Sequence, residues 1–124
     1  MNNLLLVALG GSVGAVLRYS LSLFMLQLFG SAFPFGTLLV NLVGSFAMGV
    51  VYALGQVAHV SPEMKALVGV GLLGALTTFS TFSNETLLLL QEGLIVKAIL
   101  NVILNIGLCL FVVYLGQQFV FSRF

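Results

Sequence analysis

The chain has 124 residues, of which 60% are hydrophobic and only 6% are charged, and its formal net charge is +1. Soluble domains carry about 25% charged residues, so this composition indicates an integral membrane protein. The small net charge argues against a basic surface for nucleic acid, and the one cysteine, Cys109, excludes an intrachain disulfide. We expect a single domain over residues 1–124.

Four spanning helices with short connections fit this length, because a helix needs about 20 residues to cross a bilayer. The first is expected at about 3–28. It lacks the positive n-region of a signal peptide, and Gly10 and Gly14 predict a close helix contact on one side. Arg18 lies inside this span. Its cation either reaches out to the interface or stands at the mouth of an anion path.

The second span is expected at about 35–57, after a turn that contains Pro34. Asn41 is the one amide in the apolar run that begins this span. An interhelical hydrogen bond, worth about 1 kcal/mol, is the simpler role for such a residue. The alternative is a hydrogen-bond donor that faces a pore. From Asn41 alone, the hydrogen bond between helices is the better interpretation.

The third span, at about 62–91, contains a polar tract from Thr77 to Asn84 in a segment without charge. Polar groups at membrane depth are costly unless they face protein or a water-filled path. Gly69, Gly71 and Gly74 match a dinucleotide fingerprint by letter, but no strand precedes them and we exclude that motif. These glycines, followed by residues of weak helix propensity, instead predict a break in the helix.

The side chains of the tract suit an anion. On a helix, Phe79 and Phe82 share one side, and the polar side chains occupy the neighbouring side: Ser80 with Asn84, and Thr77 with Thr81. Hydroxyls and amides donate hydrogen bonds, and an aromatic edge is positively polarised, whereas a cation path would present carbonyls or carboxylates. The alternative is that the rings pack and the hydroxyls bond back to their own helix.

The fourth span is expected at about 98–120, where Asn101, Asn105 and Cys109 recur every four residues and share one face. They either pack helices together or complete a shared polar path. No Ser-His-Asp set and no pair of carboxylates suggests acid–base chemistry, so we do not expect an enzyme.

The basic residues are evenly divided between the two ends of the predicted bundle. Four spans put both termini on one side, with Lys65 and Arg123, and leave Lys97 and Arg18 toward the other. The positive-inside rule then gives no orientation. Monomers that insert both ways can pair as an antiparallel dimer.

The sequence from Gly74 to Ser83, GALTTFSTFS, followed by Glu85, resembles the third-helix signature of the small bacterial fluoride channels (Fluc, or CrcB). Three further stretches agree, so the likeness covers nearly the whole chain: residues 10–14 with Arg18, residues 36–38 with Asn41, and residues 101–102 with Asn105.

This resemblance implies an all-α, dual-topology homodimer of antiparallel four-helix subunits in the bacterial inner membrane, which lets fluoride leave the cytoplasm passively and so reduces its toxicity. It implies that Phe79 and Phe82 meet fluoride, that Asn41 donates to it and that Arg18 lies near the entrance. The carbonyl groups of Gly74 and Thr77 would hold a structural sodium ion at the dimer centre. The adjoining polar track would consist of Thr37, Ser80, Thr81, Ser83 and Glu85.

Cys109 departs from the family pattern, in which serine is common at this position. A thiol is a weaker donor than a hydroxyl, so a contribution of Cys109 to fluoride binding stays open. Two other functions are considered. One is a small dual-topology proton-coupled exporter, although such pumps carry an acid midway along the first helix and this chain has none there. The other is a membrane assembly that transports nothing.

Overall fold

Four apolar helical segments, each long enough to cross a bilayer, make up most of residues 2–124, the part of the chain that this computed structural model describes. The first two are α1 (Asn3–Phe29) and α2 (Phe35–Val57). The third span, Pro62–Gln91, consists of helix α3 (residues 62–76) and helix α4 (Phe79–Gln91). The fourth is α5 (Ile95–Phe121). The prediction of an all-helical protein with four spans is confirmed.

Local sequence sets where these helices begin and end. The Asn2 side chain accepts the N–H of Leu4 at the start of α1, and Ser61 Oγ accepts the N–H of Met64 at 3.1 Å at the start of α3. Such caps satisfy backbone donors that have no partner in the first turn. Gly30 (φ 73°) and Gly93 (φ 78°) follow α1 and α4, where their positive φ turns the chain into the next connection.

Two stretches wind more loosely than an α-helix, with π-helical turns. One is Lys65–Leu73 in α3, which ends just before the polar tract, and the other is Ile103–Leu108 in α5, which contains Asn105. Wide turns of this kind are rare in proteins, and those that occur are often found at functional sites.

Glycines let the helix backbones meet closely, as expected for α1. A Cβ atom on Gly10 would collide with the carbonyl oxygen of Leu67, and one on Gly14 would collide with that of Leu72. The helices α1 and α3 therefore touch backbone to backbone, a packing mode typical of membrane helices. The prediction of a close contact through these glycines is confirmed.

A second close contact joins α2 and α5, and a prediction about stability follows from it. Gly49 faces the carbonyl oxygen of Val113, and Gly116 faces that of Phe46, both too near for a Cβ atom. We expect Gly116→Ala to lower the free energy of unfolding in detergent by about 1–3 kcal/mol, because backbone cannot yield to the added methyl. Gly107→Ala is the matched control on α5, since no atom lies within 4 Å of its Cβ position. An equal loss in both variants would contradict the close contact.

Candidate functional site

The third span is broken at two residues. Thr77 (φ −84°, ψ 154°) and Thr78 (φ −148°, ψ 122°) are extended, so α3 ends at Leu76 and α4 begins at Phe79. The predicted break is therefore confirmed. Thr78 caps the new helix, because its Oγ1 accepts the N–H of Thr81 at 3.2 Å.

Asn41, from α2, holds the backbone of Thr78 with both ends of its side-chain amide. The N–H of Thr78 donates to Asn41 Oδ1 at 2.8 Å, and Asn41 Nδ2 donates to the carbonyl oxygen of Thr78 at 3.2 Å. The second hydrogen of Nδ2 goes to Asn105 Oδ1 at 2.8 Å. The interhelical hydrogen bond considered from the sequence is thus present, and donation to an anion stays a prediction.

Thr78 is the residue that sequence reasoning missed. Asn41 bonds the backbone N–H and carbonyl oxygen of Thr78, which nearly every residue type has, so the identity of the Thr78 side chain does not predict this contact. The available signal was a threonine three residues before Thr81, just after a glycine-rich stretch, which is the spacing of a helix N-cap.

The amide of Asn41 is the first member of a series that we call the amide chain, formed by Asn41, Asn105, Asn101 and Thr86. Asn105 Nδ2 donates to the backbone oxygen and to Oδ1 of Asn101, each at 3.0 Å. Asn101 Nδ2 donates to Thr86 Oγ1 at 2.9 Å. Asn101 is fully buried and Asn105 nearly so. Buried amides of this kind need such partners, because each unmade bond costs about 1–3 kcal/mol.

Arg18 reaches the same break from α1. Its Nε donates to the carbonyl oxygen of Ala75 at 3.1 Å, and the side chain is partly buried. This carbonyl belongs to the last turn of α3, where backbone oxygens lack helical partners and a cation is favourable. The guanidinium therefore contacts the end of α3 beside the break.

The two phenylalanines of the polar tract lie together, although in different surroundings. Their ring centroids are 5.4 Å apart and the ring planes are inclined by 57°. Phe82 is buried, with 5% of its surface exposed, whereas Phe79 is 72% exposed. One ring is therefore held inside the subunit, and the other stands on its surface.

Hydroxyl groups flank these rings, and part of their bonding stays within α4. Ser83 Oγ donates to the carbonyl oxygen of Phe79 at 2.9 Å, while Ser80 Oγ lies 3.4 Å from Thr78 Oγ1. Ser80 and Ser83 are both exposed. A serine has one hydrogen to donate, so Ser83 can serve an anion only if it turns away from its helix.

The expected pairing of Thr77 with Thr81 on one helix is wrong. Thr77 lies before the break, and its Oγ1 donates to the carbonyl oxygen of Leu73 at 3.0 Å. Thr81 Oγ1 instead accepts from Thr78 Oγ1 at 3.1 Å. The hydroxyl group next to that of Thr81 is therefore the one of Thr78, at the break itself.

A cavity of about 510 Å³ brings together four of the predicted site residues: Arg18, Thr37, Thr81 and Glu85. It reaches the connection between α1 and α2, where Lys97 Nζ donates to the carbonyl oxygen of Ala32 at 3.1 Å. Glu85 Oε1 is buried and has no hydrogen-bond partner among residues 2–124. The cavity thus combines hydroxyl donors with two acids, Glu85 and Glu92, and two basic groups, Arg18 and Lys97.

Cys109 does not belong to this group. It is buried beside a smaller pocket of about 260 Å³ that Ser45 and Asn105 also line. The face shared by Asn101, Asn105 and Cys109 is therefore divided, since the two amides enter the amide chain and the thiol does not.

The break changes the bonding of the carbonyl groups of Gly74 and Thr77, which the family resemblance implies as sodium ligands. In a continuous helix the oxygen of Gly74 would accept the N–H of Thr78, and that of Thr77 would accept the N–H of Thr81. Instead, the N–H of Thr78 donates to Asn41 Oδ1, and the N–H of Thr81 donates to Thr78 Oγ1. Gly74 is also exposed. Two backbone oxygens are thus released from helical bonding near the subunit surface.

Comparison with known proteins identifies the family. The family described as "CrcB-like protein, Camphor Resistance (CrcB)" matches residues 5–117. A protein of Shewanella frigidimarina (strain NCIMB 400), named "Fluoride-specific ion channel FluC", is 80% identical over 123 residues, covering 99% of each chain. Proteins of the same name in Shewanella baltica (strain OS185) and Shewanella sp. (strain ANA-3) are 78% identical over equal coverage. This chain belongs to the CrcB family.

Proposed function

We propose that this chain is the subunit of a fluoride-specific channel that lets fluoride leave the cytoplasm passively across the bacterial inner membrane. The identity of 80% to a protein of that name, over 99% of both chains, carries the proposal. A channel is not an enzyme, in keeping with the absence of an acid–base set from the sequence. A proton-coupled exporter is not favoured, because α1 contains no acidic residue.

The proposed path begins in the cavity and continues past the break. Fluoride is small and strongly hydrated, so the path must replace its water with hydrogen-bond donors. Within the cavity, Thr37 and Thr81 offer hydroxyls and Arg18 offers a positive charge. Glu85 lines the same cavity as a further polar group of the track.

Beyond the break, the path is proposed to follow the outer side of α4. Phe79 offers a positively polarised ring edge at the surface, and the buried ring of Phe82 lies beside it. Ser80 and Ser83 have exposed hydroxyls, and that of Ser83 must first turn away from the carbonyl oxygen of Phe79. Asn41 is proposed to donate to fluoride next to these rings. Because both hydrogens of its amide are bonded, the anion must displace one of the present acceptors.

Flux through purified protein is the direct test of this function. Liposomes loaded with fluoride or with chloride should release fluoride when the protein is present, without a proton gradient, and should retain chloride. Proton-driven exchange would identify an exporter instead, and no flux of either ion would identify a membrane assembly without transport.

The channel is proposed to be an antiparallel homodimer. Part of the third span, which we call the open face, is exposed although it lies in a spanning segment: Gly74, Phe79, Ser80, Ser83 and Asn84. Hydroxyls and an amide are costly against lipid, so cover by protein is favourable. A second copy carries matching groups, and the even division of basic residues permits it to insert with the opposite orientation.

A lysine tail added after Phe124 tests this dual orientation. The tail should force one orientation, because basic residues favour the cytoplasmic side, and cells should lose fluoride resistance for want of oppositely inserted partners. Coexpression with a variant biased the other way should restore resistance. Full resistance from one biased variant alone would count against an antiparallel dimer.

A structural sodium ion at the dimer centre is proposed on the same open face. The carbonyl oxygens of Gly74 and Thr77 are released from helical bonding by the break, and hard monovalent cations prefer such oxygens. Two copies would supply two such pairs. The donor set thus fits sodium, whose charge would balance carbonyl groups that are brought together away from water.

Exchange of sodium for a large organic cation should weaken this dimer. We expect a larger dissociated fraction in detergent and a lower fluoride flux, with the rejection of chloride unchanged, because the ion is proposed to lie apart from the fluoride path. Potassium at the same ionic strength is the control for salt. Dimer stability that is indifferent to the cation would overturn the sodium site.

A further inference from the structure

The amide chain connects the break in the third span to the buried face of α5. Asn41 bonds the N–H and the carbonyl oxygen of Thr78, while its remaining hydrogen goes to Asn105 Oδ1. Asn105 in turn gives both of its amide hydrogens to Asn101. The backbone of Thr78 is therefore linked through side-chain amides to two residues on a different helix.

The bonding fixes which way each amide is turned. Asn105 donates twice to Asn101, so its own carbonyl oxygen is directed at Asn41. If Asn105 Oδ1 were removed, the second hydrogen of Asn41 Nδ2 would lose its acceptor in a partly buried place, and the third bond that fixes the orientation of the amide would be gone. Asn41 would then hold the backbone of Thr78 less firmly, because its two bonds to Thr78 would compete with orientations that give this hydrogen a new acceptor.

The residue held in this way controls where α4 begins. Thr78 is the N-cap of α4, and Phe79 and Phe82 lie in the first turns after it. A shift of the Thr78 backbone therefore turns both rings. Arg18 bonds Ala75 on the other side of the break, which limits movement there and leaves Asn41 as the side chain that bonds the backbone of Thr78.

We propose that Asn105 and Asn101 are positioning residues, which hold the Asn41 amide in the orientation that clamps Thr78 and so set the direction of the ring pair. Their effect on transport rests on the proposed channel function. Their effect on Thr78 does not, because it is a property of the folded subunit. The two claims can be tested separately.

Nuclear magnetic resonance of protein labelled with ¹⁵N-threonine tests the effect on Thr78. In Asn105→Leu we expect the Thr78 amide proton to move upfield and to exchange with water about tenfold faster, because its acceptor is no longer held in place. Gln118→Leu is the matched control, since it removes an exposed amide from the same helix. The control should leave the Thr78 resonance where it is in the parent.

Fluoride flux tests whether Asn105 acts through Asn41. Asn105→Leu and Asn41→Leu should each lower flux, and the double variant should be no slower than Asn41→Leu alone. Independent losses that multiply in the double variant would refute action through Asn41. If Asn105→Leu does not assemble, Asn105→Thr serves in its place, because its hydroxyl is too short to reach both neighbours.

Two further outcomes are decisive. An unchanged Thr78 resonance in a dimeric, folded Asn105 variant would overturn the positioning role, whatever the flux. A parent protein that carries no fluoride would overturn the channel function, while the Thr78 resonance would still decide the role of Asn105 and Asn101.

Discussion

Asn41→Asp is expected to abolish fluoride transport, with flux at least about a hundredfold below that of the parent. The ionised side chain has only acceptors, so it would present oxygen to the Thr78 carbonyl and to Asn105 Oδ1, where the parent donates at 3.2 and 2.8 Å. Two lost hydrogen bonds cost about 3 kcal/mol together, which corresponds to about a hundredfold fewer clamped molecules. A negative charge beside an anion path adds repulsion.

The control for this change is Gln56→Glu, which makes the same conversion of amide to acid at an exposed position on the same helix. Efflux from liposomes should be near that of the parent for Gln56→Glu and absent for Asn41→Asp, with both proteins dimeric by gel filtration. Parent-like flux from Asn41→Asp would mean that neither the clamp on Thr78 nor donation by Asn41 matters for transport.

The broad architecture was open to prediction because it depends on features that a sequence displays directly. Apolar length gives four spans, and glycine spacing gives the contact of α1 with α3. The break was predictable as well, since glycines followed by hydroxyl residues weaken a helix. The place of the break was harder, because Asn41 selects Thr78 from a distance of 37 residues along the chain.

The bonding of the site was less predictable than its composition. The sequence indicates that Asn101, Asn105 and Cys109 share a face, yet it does not tell which of them meet a partner. That depends on where α2 crosses α5, which places Asn41 against Asn105 and Ser45 beside Cys109. Arg18 shows the same limit, since its bond to Ala75 joins residues 57 positions apart.

Phe79→Ile and Phe82→Ile should each lower fluoride flux by about tenfold or more, and only the second should cost subunit stability. Each change removes a polarised ring edge, with an expected loss of about 1.4 kcal/mol or more in stabilising the passing anion, while much of the bulk remains. Phe82 is 5% exposed, so isoleucine there also leaves a gap inside the subunit, at a cost of about 1–3 kcal/mol in unfolding free energy. Phe79 is 72% exposed and packs little within its own subunit.

This difference separates a role in transport from a role in folding. Phe111→Ile is the matched control, because Phe111 is an exposed ring on a different helix, α5. Flux and unfolding free energy should be measured on the same preparations of all three variants. A loss of flux in Phe79→Ile without a loss of subunit stability assigns the exposed ring to the fluoride path. If Phe79→Ile conducts like Phe111→Ile, the ring belongs to the surface of the subunit and the path must run elsewhere.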